Sequence, residues 1–166
     1  IGDYPALQHV MASVSSTFGE DTLREQSFVS AHGSSTPQNG VTEAKLYRDY
    51  AEAFGIQGWK VTALKSFMGH SMGAAGGLQS VCGLLSMAQG VIPKIRNLAE
   101  MGVDPELPGE RLEVLAENHV FKPGEIKVAI GVSKGFGGFN VAEALAGPQL
   151  AQEHLLGGLS DADRQA

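Results

Sequence analysis

The feature that most constrains this chain is a long uncharged stretch at its centre. Between Lys65 and Lys94 no residue carries a formal charge, so the segment lacks the polar face of an ordinary surface helix. A transmembrane helix is the first alternative, but the stretch holds six glycines, four serines, two glutamines and a histidine, which is too polar for lipid. The composition therefore predicts a helix buried on all sides of a larger fold. Such burial needs layers on both sides of the helix, more than this chain alone obviously supplies.

The overall composition is that of a globular protein without a polyanion-binding surface. Apolar residues make up 43% and charged residues 18% of the 166 residues, and the net charge is −6. Because the 12 basic residues are scattered, we expect neither nucleic-acid binding nor binding to an anionic membrane. The single cysteine, Cys82, excludes an internal disulfide and a multi-cysteine zinc site and indicates a reducing, cytoplasmic location. The start at Ile1 and the polar tail predict a piece of a longer protein.

Hydrophobic periodicity predicts alternating helices and strands. Apolar residues spaced by three and four predict a helix over residues 4–18. A second helix is predicted over residues 42–54, with Glu43 in its first turn, where the helix dipole favours an acid. Short apolar runs predict strands over residues 27–31, 59–64, 112–115, 127–132 and 140–145. The last two strands flank a glycine-rich loop and form a hairpin. Strands interspersed with helices make the fold class α/β, with one domain over residues 1–146 and a tail or helical linker over residues 147–166.

Three polar, glycine-bearing segments each follow a predicted strand. The first begins at His32, the second contains Gly69-His70, and the third surrounds Phe136. Loops at the carboxyl ends of strands in α/β sheets are where functional sites are usually built. Taken singly, each segment is better explained as a structural loop. The third lacks the spacing of a phosphate-binding loop and opens a strand rather than a helix.

The second segment also matches the motif of a serine nucleophile. Gly69-His70-Ser71-Met72-Gly73 fits the G-x-S-x-G elbow, and Asp104 and His119 follow in the order that hydrolases use. Against this alternative, Lys65-Ser66 interrupt the apolar strand that precedes an elbow, and no second segment looks like an oxyanion-donating loop.

In order and spacing, the three segments together resemble the carboxyl-terminal half of β-ketoacyl-acyl carrier protein synthases. Those enzymes carry a histidine–glycine–threonine loop, a lysine–serine–x–x–glycine–histidine turn before a glycine/alanine helix, and a glycine–phenylalanine–glycine–glycine hairpin. Here the matching residues are His32-Gly33-Ser34, residues 65–70 and residues 135–138. The resemblance covers roughly residues 5–146. It implies a thiolase-like α/β/α/β/α layered fold, of which this chain is the second, C-terminal half.

The resemblance implies a decarboxylative Claisen condensation in fatty acid or polyketide synthesis. In this family a cysteine takes an acyl chain from a carrier thioester, and malonyl-carrier protein loses carbon dioxide to give the attacking carbanion. By resemblance, His32 and His70 are neutral N–H donors that stabilise the negative charge on the malonyl thioester oxygen. Lys65 orients His70 and its water network. The structural alternative for Lys65 is a surface lysine that caps a strand.

Further roles follow from the same resemblance. Ser34 and Thr36 fall where two threonines hydrogen-bond the phosphopantetheine arm of the carrier protein. Phe136 matches a gatekeeping aromatic residue beside the nucleophile, whose backbone N–H helps to hold the acyl-thioester oxygen. No metal and no tightly bound cofactor is implied, since the phosphopantetheine belongs to the carrier protein.

Three matching positions are expected to be structural, and four positions depart from the family. Glu43 matches a carboxylate behind the histidine loop, while Gly137 and Gly138 support the hairpin. Where the family has an acid and a glutamate, this chain has Gly40 and Gln79, respectively. Where the family has a phenylalanine and a threonine, this chain has Lys134 and Phe139, respectively. These departures put acyl-chain preference and subfamily in question, not the histidine pair.

The nucleophilic cysteine is the main absence from this chain. Cys82 falls in the middle of the predicted buried helix, about three turns beyond His70, where apolar surroundings raise a thiol pKa. We therefore expect the chain alone to be inactive and to need the N-terminal half of the same domain.

The expected partners are acyl carrier protein with its malonyl and acyl thioesters, and the intact enzyme is expected to be a homodimer without a membrane span. The alternative from another class is a non-catalytic partner subunit resembling a chain-length factor. Retention of His32, His70 and Lys65 argues against it, since a scaffold has no need of them.

Overall fold

A computed structural model describes residues 4–98, 109–135 and 137–157. Within these ranges the strands are β1 (Ser27–Ser30), β2 (Trp59–Thr62), β3 (Val91–Ile92), β4 (Leu112–Val114), β5 (His119–Val120), β6 (Val128–Lys134) and β7 (Asn140–Ala146). The helices are α1 (Pro5–Phe18), α2 (Glu20–Glu25), α3 (Pro37–Phe54), α4 (Lys65–Met68), α5 (Ala75–Gln89) and α6 (Pro148–Leu156), with a 3₁₀ turn at Met72–Ala74.

Five of the strands form a mixed sheet in the order β4–β2–β1–β6–β7. Strand β1 pairs in parallel with both β2 and β6, and β2 pairs in parallel with β4. Strands β6 and β7 form an antiparallel hairpin paired from Val128↔Ala146 to Lys134↔Asn140, so the predicted hairpin is confirmed. Strands β3 and β5 pair separately as a two-stranded antiparallel sheet.

Helices cover both faces of the five-stranded sheet. On one face, α1 and α3 bury Leu7, Met11 and Tyr47 in a cluster that includes Val29. On the other face, α5 and the small sheet form a second cluster that includes Phe28. Neighbouring residues of β1 thus point into opposite cores, because side chains alternate along a strand. All four residues of β1 are buried, as expected for a parallel strand covered on both faces.

Helix α3 begins earlier than the sequence predicts. It starts at Pro37 rather than at residue 42. Proline suits the first turn of a helix, and the Thr36 hydroxyl oxygen accepts a hydrogen bond from the Asn39 N–H at 3.4 Å. The turn-rich look of residues 37–40 therefore belongs to a capped helix start, and the loop after β1 is correspondingly shorter.

The uncharged central stretch holds the predicted helix only in its later part, and one side of that helix is exposed within the described residues. Strand β2 ends at Thr62, the turn α4 follows, and α5 runs only from Ala75. One side of α5 packs on β6, where Gly83 lies close to Ala129. The other side leaves apolar side chains exposed, namely Leu78, Val81, Leu84 and Leu85. Within the described ranges, no helix has the length and apolar character needed to cross a membrane.

Helix α6 follows Gly147 and lies against the rest of the molecule. Leu150 is buried in the same cluster as the side chains of α1, and the His154 ring contacts the Phe18 ring edge-on, with centroids 5.2 Å apart. The first nine residues after Gly147 are therefore part of the packed structure.

Candidate active site

The loop after β1 is held by one carboxylate from α3. Glu43 accepts hydrogen bonds from the backbone N–H groups of His32 at 2.9 Å and Gly33 at 2.8 Å. It also accepts from the Tyr47 hydroxyl at 2.6 Å and from the Asn39 side-chain amide. Glu43 is buried, and its two oxygens serve all four donors. This clamp fixes the backbone that carries His32.

The His32 ring has one nitrogen occupied by backbone. Its Nδ1 accepts a hydrogen bond from the Lys134 N–H at 3.2 Å, where β6 ends. The Lys65 ammonium lies 3.5 Å from the same nitrogen and also donates to the His32 carbonyl oxygen. Because both neighbours of Nδ1 are donors, the hydrogen-bond network assigns the ring proton of the neutral imidazole to Nε2.

The surroundings of His32 favour its neutral form. The residue is 8% exposed, and burial followed by the positive charge of Lys65 lowers the pKa of His32 below its ordinary 6.5. At neutral pH, His32 is therefore an uncharged imidazole with Nε2–H as its free donor.

The Nδ1 of His70 is likewise occupied by a backbone N–H, although His70 is exposed whereas His32 is buried. His70 lies in the turn between α4 and the 3₁₀ segment, and its Nδ1 accepts a hydrogen bond from the Met72 N–H at 3.1 Å. Met72 takes a left-handed backbone conformation with φ of 51°, uncommon for a residue with a side chain. The His32 and His70 ring centroids are 5.5 Å apart with their planes at 82°. The structure thus brings together the two histidines that the sequence singled out.

Both rings line one open cleft of about 510 Å³ between the start of α5 and the β6–β7 hairpin. Small residues form much of its wall, among them Gly73, Gly76 and Gly131. At one side Glu143 from β7 accepts a hydrogen bond from the Ser80 hydroxyl of α5 at 2.6 Å. The cleft can therefore admit a ligand to both histidines at once.

Lys65 contacts a different histidine from the one expected. The resemblance implied that it orients His70, whereas its ammonium lies against the carbonyl and ring of His32. Lys65 is the first residue of helix α4, which follows β2. Because β2 pairs with β1, the Lys65 side chain reaches the end of β1, where His32 follows. Burial lowers the pKa of Lys65 itself.

Two of the three expected substrate-binding residues, Ser34 and Thr36, lie within the described residues. The Ser34 and Thr36 hydroxyls are 3.5 Å apart at the rim of the loop, and the Thr36 oxygen also caps α3. Phe136 lies outside the described residues. Gly137 and Gly138, expected to support the hairpin, both have positive φ, at 80° and 84°.

The serine-nucleophile alternative gains no support from the geometry. The helix α4 separates β2 from Gly69, whereas an elbow places its serine directly on the strand-to-helix turn. His119 belongs to β5 and stacks on Phe121, and no hydrogen bond joins it to Ser71 within the described part of the chain. Asp104 lies outside the described residues.

Several contributors to the site were not predicted from the sequence. The backbone N–H groups of Lys134 and Met72 have no signature, because every residue except proline offers one. Glu143 had a signal, since it is an acid in an otherwise apolar strand. Among the described residues, no group of three or more His, Cys, Asp or Glu side chains is arranged to hold a metal ion.

Comparisons with known proteins show which family the chain belongs to. The family described as "Beta-ketoacyl synthase, C-terminal domain" matches residues 3–99. The β-ketoacyl-[acyl-carrier-protein] synthase FabY of Pseudomonas aeruginosa is 36% identical over 154 residues, which are 93% of this chain and 24% of FabY. The 3-oxoacyl-[acyl-carrier-protein] synthase 2 of Synechocystis is 33% identical, covering 71% of this chain and 26% of that protein. The chain thus spans about a quarter of the length of the curated relatives it matches.

The comparison of structures gives the same result. The crystal structure of the noncanonical ketosynthase FabY from P. aeruginosa superposes with a TM-score of 0.90 at 35% identity, covering 98% of this chain and 25% of FabY. A β-ketoacyl synthase from Burkholderia phymatum, at 23% identity, shares the fold with a TM-score of 0.66 over 86% of this chain and 32% of its own. The predicted thiolase-like α/β fold is confirmed. The chain belongs to the β-ketoacyl synthase family and corresponds to the family's C-terminal domain.

Proposed function

We propose that the protein containing this chain is a 3-oxoacyl-[acyl-carrier-protein] synthase that performs decarboxylative Claisen condensation in fatty acid or polyketide synthesis. This chain contributes the decarboxylation machinery, with His32 and His70 as catalytic residues and Lys65 beside them. The observation that carries the proposal is that the two rings have the same hydrogen-bonding arrangement. Each has Nδ1 occupied by a backbone N–H, and each lines the same cleft.

The chemistry requires donors at the place where negative charge develops. When the malonyl carboxylate leaves as carbon dioxide, the electron pair of the broken C–C bond moves into the thioester, giving an enolate. Two Nε2–H donors aimed at the enolate oxygen stabilise this charge without becoming charged themselves, as in an oxyanion hole. The enolate carbon then attacks the acyl thioester of the nucleophilic cysteine, and the cysteine thiolate leaves.

We assign the nucleophilic cysteine to a part of the protein outside these residues. Cys82 is half-buried, and burial raises the pKa of its thiol, which disfavours the nucleophilic thiolate. The chain alone is therefore inactive, and the N-terminal half of the domain supplies the nucleophile. The intact enzyme is a cytoplasmic homodimer that takes its substrates from acyl carrier protein.

We assign the substrate contacts to the loop after β1 and to the glycine-rich segment around Phe136. The hydroxyls of Ser34 and Thr36 hydrogen-bond the phosphopantetheine arm, and the Phe136 backbone N–H helps to hold the acyl-thioester oxygen. The proximity of the two hydroxyls, 3.5 Å apart, supports the first assignment. No metal or resident cofactor takes part, since the pantetheine thiol arrives with the carrier protein.

The experiment measures malonyl-carrier decarboxylation by the full-length protein and its variants His32→Ala and His70→Ala. Each loss of a donor is expected to lower the rate by roughly 10²- to 10³-fold. His119→Ala is the matched control, because His119 lies on β5 in the separate two-stranded sheet, and its rate should equal that of the parent.

Two results contradict the proposal. Decarboxylation that is absent from the parent protein, and therefore unchanged in His32→Ala and His70→Ala, favours the non-catalytic subunit resembling a chain-length factor. Loss of activity in His119→Ala with covalent labelling of Ser71 by a fluorophosphonate favours the serine nucleophile.

A further inference from the structure

Gln79 is a buried amide on α5 that none of the roles above uses. Its side chain is inside the molecule, with the residue 2% exposed. The Nε2 atom lies 3.1 Å from the Ser30 carbonyl oxygen and 3.0 Å from the Ala31 carbonyl oxygen. It also lies 3.4 Å from the carbonyl oxygen of Val132. One amide nitrogen thus faces three carbonyl oxygens where β1 and β6 end.

The other end of the amide fixes which way it points. Its Oε1 accepts a hydrogen bond from the Ser133 hydroxyl at 3.4 Å. With the oxygen engaged there, the two Nε2 hydrogens are shared among the carbonyls of the two strand ends. Only a donor suits these carbonyls, and an apolar side chain of the same length leaves them without this partner. Removal of one partner from a buried polar group costs more than the hydrogen bond was worth.

The two strand ends tied to Gln79 are those that set the His32 ring. His32 directly follows Ala31, so the carbonyl held at 3.0 Å belongs to the peptide that carries the histidine. Lys134, whose N–H occupies the His32 Nδ1, lies two residues beyond Val132. A shift of either strand end relative to α5 therefore moves the ring or its backbone donor.

From this geometry we infer that Gln79 is a positioning residue for His32, holding the ends of β1 and β6 together so that the ring keeps its Nε2 proton facing the cleft. The inference rests on the proposed function, because the ring that Gln79 positions is the one that stabilises the transition state of that decarboxylation. Gln79 itself touches no reacting atom. Its effect passes through the His32 backbone and the Lys134 N–H.

The test compares the full-length protein with its Gln79→Met variant, which keeps the side-chain length and removes both the donor and the acceptor. We expect kcat for malonyl-carrier decarboxylation to fall about 10- to 100-fold, because a displacement near 1 Å is enough to cost 10²-fold, while KM stays within about twofold. Ser133→Ala, which removes only the hydrogen bond to Oε1, should give a smaller loss in kcat. Ser86→Ala is the control, since Ser86 is buried two turns further along the same helix.

A second readout does not depend on activity. The ring carbon and nitrogen shifts of His32 in isotope-labelled protein report its tautomer, and Gln79→Met should turn a single Nε2–H form into a mixture. A purely structural role predicts a lower melting temperature with kcat and the His32 tautomer unchanged at a temperature where the variant is folded. That result overturns the inference. If the parent protein does not decarboxylate malonyl thioesters, the proposed function fails, whereas the tautomer measurement still decides whether Gln79 positions the ring.

Discussion

At the scale of single residues, the loop that carries His32 depends on buried polar groups that have hydrogen-bond partners. Glu43 is the clearest case, since its two oxygens serve four donors from the histidine loop and α3. The sequence pointed to a structural carboxylate at this position through resemblance. It gave no sign of Tyr47 as a partner, because tyrosine at that spacing also fits an ordinary apolar helix face.

The Glu43 clamp yields a prediction about stability. Glu43→Gln replaces one acceptor oxygen by an NH₂ group, so at least two of the four donors lose their partner. Since each unsatisfied buried donor costs about 1–3 kcal/mol, we expect a loss of about 3 kcal/mol in the free energy of unfolding. Denaturant titration of the full-length protein measures it. Glu52→Gln, an exposed change on the same helix, should stay within about 0.5 kcal/mol, and equal effects at the two positions would refute the clamp.

The charges around the histidines yield a prediction about pH. Burial and the Lys65 ammonium lower the pKa of His32, because a positive neighbour disfavours the imidazolium form. Lys65→Met should therefore raise the pKa of His32, measured by NMR titration of the ring. His119 provides a crossed control, since burial and the Lys60 ammonium lower the pKa of His119. Lys60→Met should raise the pKa of His119 and leave that of His32 unchanged, and an equal response of both rings to either variant contradicts the assignment.

The sign of the same shift fixes how stability depends on pH. The pKa of His32 is lower in the folded protein than in the unfolded chain, so the unfolded chain binds the proton more readily. His32 therefore makes the folded state less stable as pH falls below about 6.5, the ordinary histidine pKa. The same sign keeps His32 an uncharged donor at neutral pH.

At the scale of elements, the position of α5 depends on how it ends. Gly90 terminates the helix in a left-handed conformation with φ of 72°, and its N–H donates to the Ser86 carbonyl oxygen at 2.9 Å. A Cβ at this position would stand 2.3 Å from the Phe121 carbonyl oxygen. The helix end can therefore pack against the two-stranded sheet and the second core only because residue 90 has no side chain.

Gly90→Ala should destabilise the protein through two separable effects. The left-handed backbone costs an alanine about 1–2 kcal/mol, and the contact with Phe121 adds about 1–3 kcal/mol of overpacking. Gly58→Ala isolates the first effect, because Gly58 has φ of 58° and nothing within 4 Å of its Cβ position. Thermal or denaturant unfolding should show Gly90→Ala as the more damaging by about 2 kcal/mol, and equal losses would exclude the contact.

Apolar periodicity predicted helix α1 and five strands correctly, but it missed the start of helix α3. Helix α1 and the predicted strands were recovered because their apolar spacing reports burial directly. The start of α3 was missed because glycine, proline and asparagine at residues 37–40 look like a loop. There the Thr36 cap and a proline in the first turn outweigh the low helix propensity of these residues.

At the scale of the whole molecule, one side of α5 is apolar and exposed in the part of the chain that the structure describes. Its exposed residues include Val81, at 56%, on the side away from β6. The proposed N-terminal half of the domain would bury this side. Val81→Asp should then cost the full-length protein more than about 3 kcal/mol in unfolding free energy, because an unpaired charge is driven into an apolar contact. Val120→Asp, at a position 73% exposed on β5, should cost less than about 1 kcal/mol, and similar losses would argue against a covered face.

The assignment of the nucleophile makes a further prediction for the whole enzyme. Cys82 is the one cysteine of this chain, and burial raises its thiol pKa. Cys82→Ala should leave formation of the acyl-enzyme unchanged when the full-length protein is incubated with an acyl thioester. Peptide mapping by mass spectrometry should find the acyl group on a cysteine outside these 166 residues. An acyl group on Cys82, or its loss in the variant, contradicts the division of labour.

The sequence by itself determined the fold class, the five strands of the mixed sheet and the segments that carry His32 and His70, because these signals are local spacings of apolar, polar and glycine residues. Only the tertiary structure decided which atoms hold the rings. The parallel pairing of Ser30 with Gly131 brings residues far apart in sequence to one sheet edge, so the Lys134 N–H reaches His32. The turn α4 likewise turns Lys65 towards His32 rather than His70. Such contacts arise from strand pairing and helix packing between distant segments, which no local spacing encodes.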